Sequence, residues 1–175
     1  NNNLRRPVAV RLPVSCGVMM KINLVCVGNV KDKHYAEACA EYKKRLSRFC
    51  SLSETEVPES AFSGQPGERE RELLLEAEYK RYSKYLKGHL VVLDAEGAGM
   101  SSEEFSRYIM ERKAEGAEMT FLIGGSHGLC GKAKGQANLI LSFSKMTFPH
   151  TLFRVMLLEQ LYRAFMIAGG GTYHK

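Results

Sequence analysis

Three apolar runs of strand length, residues 21–27, 89–94 and 118–123, govern what this chain can fold into. Each is continuous rather than alternating, the pattern of a strand buried on both faces. Segments of helical period lie between them. Over residues 33–49, Tyr35, Ala38, Cys39, Tyr42 and Leu46 recur on one face, and Lys43, Lys44, Arg45 and Arg48 occupy the other. Residues 68–86 read as a charged helix, with acids early and bases late as the helix dipole favours. Ser101 offers an N-cap to a further helix, with Glu103 and Glu104 in its first turn. A short strand at 51–57 stops at Pro58, residues 60–67 form a loop, and residues 96–100 read as a turn. A weak helix at 132–138 leads to a strand at 139–143, and the last helix covers 151–168. Strands alternating with helices specify an α/β fold with a mostly parallel sheet.

The chain has 175 residues, enough for one domain with a genuine core. Apolar residues at 45% and charged residues at 25% exclude a disordered or collagen-like chain. No run approaches the roughly 18 apolar residues of a membrane span, so no membrane partner is expected. Residues 1–19 differ from the rest of the chain. They hold three arginines and no acid, and two prolines break any signal-peptide core. They read as a leader, added or disordered, ahead of a single domain at 20–175. The five cysteines, Cys16, Cys26, Cys39, Cys50 and Cys130, form no Cys-x-x-Cys pair, and reduced thiols are expected. Net charge is +6, which points to an acidic partner such as nucleic acid. Three of those charges are Arg5, Arg6 and Arg11, so residues 20–175 carry three. Residues 145–175 carry four bases against Glu159, again a surplus of three.

Four stretches bear on chemistry. The third apolar run breaks into Gly124-Gly125-Ser126-His127-Gly128. Glycines there serve equally a tight turn or the close approach of a nucleotide-like ligand. Residues 141–150, Leu-Ser-Phe-Ser-Lys-Met-Thr-Phe-Pro-His, mix apolar and polar positions. They read as an edge strand or as a segment wrapping a small ligand. The last helix is apolar nearly all round, the composition of a helix buried in a core or an oligomer interface. Arg154 falls among Leu157, Leu158, Leu161 and Phe165, and a buried arginine needs an acidic partner or ligand. Glu159 and Arg163 stand at i,i+4. The tail, Gly169-Gly170-Gly171-Thr172-Tyr173-His174-Lys175, is either solvated or able to fold over a site.

In this order, Leu-Ile-Gly-Gly-Ser-His-Gly, Leu-Ser-Phe-Ser-Lys-Met-Thr-Phe-Pro-His, Arg154 with Glu-Gln-Leu-Tyr-Arg-Ala, and Tyr-His-Lys closely resemble the RlmH family. These are SPOUT-superfamily pseudouridine N3-methyltransferases of the large ribosomal subunit. The start at Met20-Lys21-Ile22-Asn23-Leu24-Val25-Cys26-Val27-Gly28 resembles theirs too. The resemblance implies an α/β knot: a mostly parallel sheet, helices on both faces and a C-terminal trefoil knot. It implies S-adenosyl-L-methionine as methyl-donor substrate, no metal, and a cytoplasmic homodimer. The substrate it implies is 23S rRNA, in the helix 69 region, within the assembled 70S ribosome. By motif, the cofactor residues fall on Leu93, Gly124 and Phe143, Ser144, Lys145, Met146, Thr147 and Phe148. Tyr173 and His174 match the family's terminal Tyr-His pair and, with Arg154, are the candidates for catalytic roles. His150 and His174 are both candidates to help the N3 proton leave. Two departures stand out: Ser126-His127 replaces the Pro-Glu or Ser-Asn of many relatives, and Thr172 replaces a proline. Other readings are a SPOUT enzyme acting on tRNA, a non-enzymatic RNA-binding module and a nucleotide-binding α/β protein.

Overall fold

A computed structural model describes residues 19–62, 64–171 and 173. Five strands, β1 (Met20–Val27), β2 (Cys50–Val57), β3 (His89–Gly99), β4 (Met119–Ile123) and β5 (Leu139–Ser142), form one sheet in the order β2-β1-β4-β3-β5. Every neighbouring pair is parallel. A parallel neighbour needs a crossover, and α-helices supply it. These are α1 (Lys33–Leu46), α2 (Glu68–Tyr82), α3 (Ser102–Ala114), α4 (Gly131–Gln136) and α5 (His150–Ala168).

Successive strand residues point to opposite faces, so the sheet has two cores. Ile22, Leu24, Cys26, Val91, Phe121 and Leu141 pack with Cys39 and Leu46 of α1, Phe105 and Ile109 of α3, and Leu157, Leu158 and Leu161 of α5. On the other face Val25, Val27, Leu90, Val92 and Leu122 pack with Tyr82 of α2 and Ala133 of α4. Helices therefore cover both faces, which is why the central strands read as continuous apolar runs. The cap at Ser101 forms as its sequence requires. The Ser101 hydroxyl accepts from the Glu104 amide at 3.2 Å, and the Glu104 carboxylate accepts from the Ser101 amide at 2.8 Å.

Three readings need correction. Residues 96–100 do not turn. β3 continues to Gly99, because after a register shift following Leu93 it pairs Ala98 with Leu141 and Gly99 with Ser142. Gly97 makes that close approach possible, since a Cβ there would stand 2.6 Å from the Ile140 carbonyl oxygen. The first two helices end early, at Leu46 and Tyr82, the second passing into a 3-10 turn at Ser83–Tyr85. β5 stops at Ser142, at the sheet edge, so residues 143–149 are loop rather than strand. Cys26, Cys39, Cys50 and Cys130 are free and buried. Burial pushes the Cys26 thiol up to about 12. Cys16 and the rest of residues 1–18 lie outside the described residues.

Candidate active site

The sheet register assembles the site. Leu93 of β3 stands opposite Ile123 of β4 and Leu141 of β5. One or two residues further on are Gly124 and Phe143. Three of the residues picked out by resemblance thus meet at the carboxyl edge of adjacent parallel strands, where open α/β sheets bind their ligands.

After β4 the chain folds back sharply, with the Gly128 amide donating to the Gly125 carbonyl at 3.1 Å and Gly128 at φ +87°. This turn lies on top of Gly124. A Cβ at Gly124 would meet the Gly128 carbonyl oxygen at 2.7 Å and Leu129 Cγ at 2.8 Å. Packing alone requires glycine there. Two distant elements hold the turn. Arg71 of α2 donates from Nη2 to the His127 carbonyl at 2.9 Å, and the Ser126 amide donates to Glu59 at 2.6 Å. His127 enters through its backbone, so an imidazole at this position costs the turn nothing.

The loop 143–149 is tied at both ends. Phe143 stacks on Phe153 of α5 with ring centroids 5.0 Å apart, and Phe148 lies 6.4 Å from the same ring. The Ser142 hydroxyl donates to the carbonyls of Ala95 and Ser144, at 3.1 and 3.0 Å, and the Ser144 hydroxyl accepts from the Met146 amide at 3.0 Å. Between these ties Lys145, Met146 and Thr147 are exposed, Met146 at 73%. An exposed loop with ordered ends and an apolar base offers backbone groups and a flat surface, which a ligand carrying a planar ring and hydrogen-bonding edges can use. The residues present therefore fit a nucleoside-type group. Beside the loop, Asp94 takes an ion pair from Lys134 at 2.7 Å. Burial would raise the Asp94 carboxyl, but the Lys134 hydrogen bond and charge and the Glu96 amide outweigh it, and the carboxyl is held below its usual value.

Arg154 is 2% exposed, as its place among leucines requires, and it finds protein partners. Nη1 donates to Glu54 at 3.1 Å and to Glu56, and Nη2 donates to the Gly28 carbonyl at 3.0 Å. Glu54 and Glu56 stand beside Leu24 and Cys26 in the β1–β2 register, on the face that α5 covers. Arg154 therefore faces β1 and β2 and does not face the ends of β3 and β5. Tyr173 lies back along α5. Its hydroxyl donates to Glu159 at 3.2 Å, and its ring packs on Tyr162 at 5.0 Å and under Arg163 at 4.8 Å. Burial and the neighbouring Tyr42 and Glu159 raise its hydroxyl pKa. Glu159 and Phe143 share a cleft of ≈ 300 Å³ with Met100, Ser102 and Gln160, so the tail touches a wall of the loop's own surroundings. The expected pair of Glu159 and Arg163 is present at 3.0 Å. His174 lies outside the described residues.

Sequence reasoning missed Glu54, Glu56, Glu59, Arg71 and Lys134. Each acts across a long separation, 98 and 100 residues for the partners of Arg154, and no local pattern marks such pairs.

The family described as predicted SPOUT methyltransferase matches residues 20–174. A ribosomal RNA large subunit methyltransferase H of Caldicellulosiruptor saccharolyticus is 44% identical over 156 residues, covering 88% of this chain and 99% of that protein. A protein of the same name from Clostridium kluyveri is 42% identical over 159 residues, 89% of this chain and all of the relative. The Streptococcus gordonii counterpart is 44% identical over 159 residues, with the same coverage. Among solved structures, a probable methylase family protein from Haemophilus influenzae Rd KW20 shares the fold. Its TM-score is 0.54 at 13% identity, over 88% of this chain and 69% of that one.

Proposed function

The chain belongs to the SPOUT methyltransferase family, and from that premise we propose that it methylates N3 of a pseudouridine in 23S rRNA, in the helix 69 region of the assembled 70S ribosome. It is a methyltransferase of the large-subunit ribosomal RNA kind, as its relatives at 40–44% identity are named. Their near-complete mutual coverage is the observation that carries the reading. The convergence of Leu93, Gly124 and Phe143 at one sheet edge supports it.

S-adenosyl-L-methionine, the methyl donor in this reading, brings a methyl group already made electrophilic by its sulfonium. Leu93, Gly124 and the segment Phe143, Ser144, Lys145, Met146, Thr147 and Phe148 would hold it. The protein's tasks are then to align a nitrogen with the methyl carbon and to remove a proton. In this reading Arg154 balances negative charge beside the reacting groups, and Tyr173 and His174 shape the RNA side. The reading includes the family's trefoil knot and a cytoplasmic homodimer, one subunit offering the donor site and the other an RNA-binding surface. The half-buried apolar residues of α5, among them Leu152, Met156 and Ile167, support a second subunit. Among the described residues no helix is long and apolar enough to cross a membrane.

The test is to offer the purified protein and S-adenosylmethionine both 70S ribosomes from cells lacking the enzyme and bulk tRNA, and to map the product RNA by mass. One added methyl on a single pseudouridine of helix 69 is expected. Transfer to tRNA alone, or to neither RNA, overturns the reading.

A further inference from the structure

A cleft of ≈ 660 Å³ opens at the carboxyl ends of β1 and β2, against the first turn of α5. It is separate from the ends of β3 and β5 but shares a wall with the glycine turn. Glu59 lines the cleft and accepts from the Ser126 amide at 2.6 Å, and its carboxylate oxygen stands 2.7 Å from where a Gly125 Cβ would lie. His150 lines it too, immediately after the loop 143–149. Gly28, at φ +88°, lies under that imidazole, with His150 Nε2 3.0 Å from a Cβ built there. A group held in this cleft is flanked by two of the stretches that would hold the methyl donor.

The lining selects the class of occupant. Asp32, Glu56 and Glu59 stand against the single ammonium of Lys31, so a phosphate or carboxylate is repelled. A neutral ring with an N–H between two carbonyls is not repelled: carboxylates accept from the N–H, and Lys31 and Asn29 donate to the carbonyls. Gly28, Val57 and Pro58 supply uncharged surface for the ring faces. The volume lies within the range of small-ligand sites, and a base can reach such a cleft only when flipped out of its stack.

Arg154 stands behind this wall. It binds Glu56 and the Gly28 carbonyl together, two groups that line the cleft, while Glu54 shares its charge. A guanidinium so placed fixes the orientation of the Glu56 carboxylate at the wall of the cleft.

We propose that this cleft receives the target pyrimidine base and that Glu56 accepts its N3 proton. The proposal rests on the methyl transfer to an imide nitrogen read above. The N3–H proton passes to the Glu56 carboxylate. The nitrogen's electron pair forms the bond to the methyl carbon, and the carbon–sulfur bond breaks with its pair left on sulfur, converting sulfonium to thioether. The proton then leaves Glu56 for solvent, to which its side chain is 41% exposed. Arg154 acts through Glu56 and is a positioning residue.

The test compares wild type with Glu56→Gln, Glu56→Asp and Lys31→Ala. The readouts are S-adenosylmethionine affinity by calorimetry, single-turnover transfer to ribosomes at fixed pH, and the urea midpoint for folding. Glu56→Gln is expected to fold, because Glu54 still faces Arg154, and to bind the donor within about twofold of wild type. Its transfer should fall about 100-fold or more, with part of the rate restored in Glu56→Asp. Lys31→Ala, clear of the buried pair, should slow transfer about tenfold at unchanged donor affinity. Wild-type transfer in Glu56→Gln overturns the proposal. So does a matching loss of donor affinity, which would assign the cleft to the donor's ammonium. If wild type itself transfers no methyl to ribosomes, the parent reading fails before any variant is made, and the proposal falls with it.

Discussion

At one edge of the sheet, β2 turns Glu54 and Glu56 toward the core, and Arg154 of α5 closes over both. At the other edge, β5 stops after four residues and leaves as a loop whose middle, Lys145 to Thr147, is exposed. The first edge is held by an arginine taken out of water and bonded to two partly exposed carboxylates, the second by two phenylalanines on Phe153 and a few serine hydrogen bonds. Opening these contacts is costly because Arg154 is buried and would be left uncompensated. A loop tied by hydroxyls and ring contacts rearranges at low cost. The sheet thus separates a flank that must stay still from a flank that has to admit a ligand, and α5 begins where the two meet.

Removing the charge at the still flank gives the largest effect. Arg154→Ala takes the shared partner from Glu54, which keeps Lys43, and from the exposed Glu56, and it empties a large buried volume, so it is expected to cost about 3–5 kcal/mol, most of it from the cavity. Urea denaturation measures it, and a loss under about 1 kcal/mol would erase the contrast between the edges. Gly124→Ala sharpens the comparison from the other side. Its methyl would collide with the Gly128 carbonyl and Leu129. The turn should open at a cost of about 1–3 kcal/mol, and S-adenosylmethionine affinity, read by calorimetry, should fall about tenfold. Unchanged affinity would remove the glycine turn from the donor site. Lys134→Met is the mildest change. It takes away the partner of Asp94, whose carboxyl is held below its usual value, so the pair's contribution is present above about pH 4 and lost as pH falls through the lowered value. The variant should be about 0.5 kcal/mol less stable at pH 7, with the difference from wild type shrinking as pH falls below about 4, by thermal melts at pH 7 and at acid pH. A difference that grew on acidification would reverse the sign assigned to Asp94.

The sheet was legible wherever burial on both faces left an unbroken apolar run, as in β1, β4 and the first half of β3. The capping box at Ser101 and the last helix were legible because their signals are local. The outer half of β3 was not. Its Ala-Glu-Gly-Ala-Gly stretch carries the residues of a turn, and only the approach of Ile140 to Gly97 makes it a strand. Within the candidate site, the glycine break and the 141–150 segment could be found by eye, and the burial of Arg154 followed from its helical phase. Its partners did not follow: Glu54 and Glu56 look like the solvent face of a polar edge strand until α5 arrives. The resemblance named Leu93, a leucine among several, which no local pattern distinguishes. Register explains it, because Leu93 is where β3 lies level with the ends of β4 and β5.

An all-parallel sheet in the order β2-β1-β4-β3-β5 also dictates a timetable. β1 leaves the ribosome early, but its partner β4 follows more than 90 residues later, and the Arg154 that bonds Gly28 stands 126 residues away. At about 5–20 residues per second of synthesis, the interval is roughly 6–25 s. Through that time Ile22, Leu24 and Cys26 face outward from an unfinished sheet, with one strand edge unpaired. Contacts of such high sequence separation slow folding and leave nascent chains prone to associate. A protein proposed to act on finished ribosomes is thus itself among the chains whose unfinished sheet is open to association while they are being made.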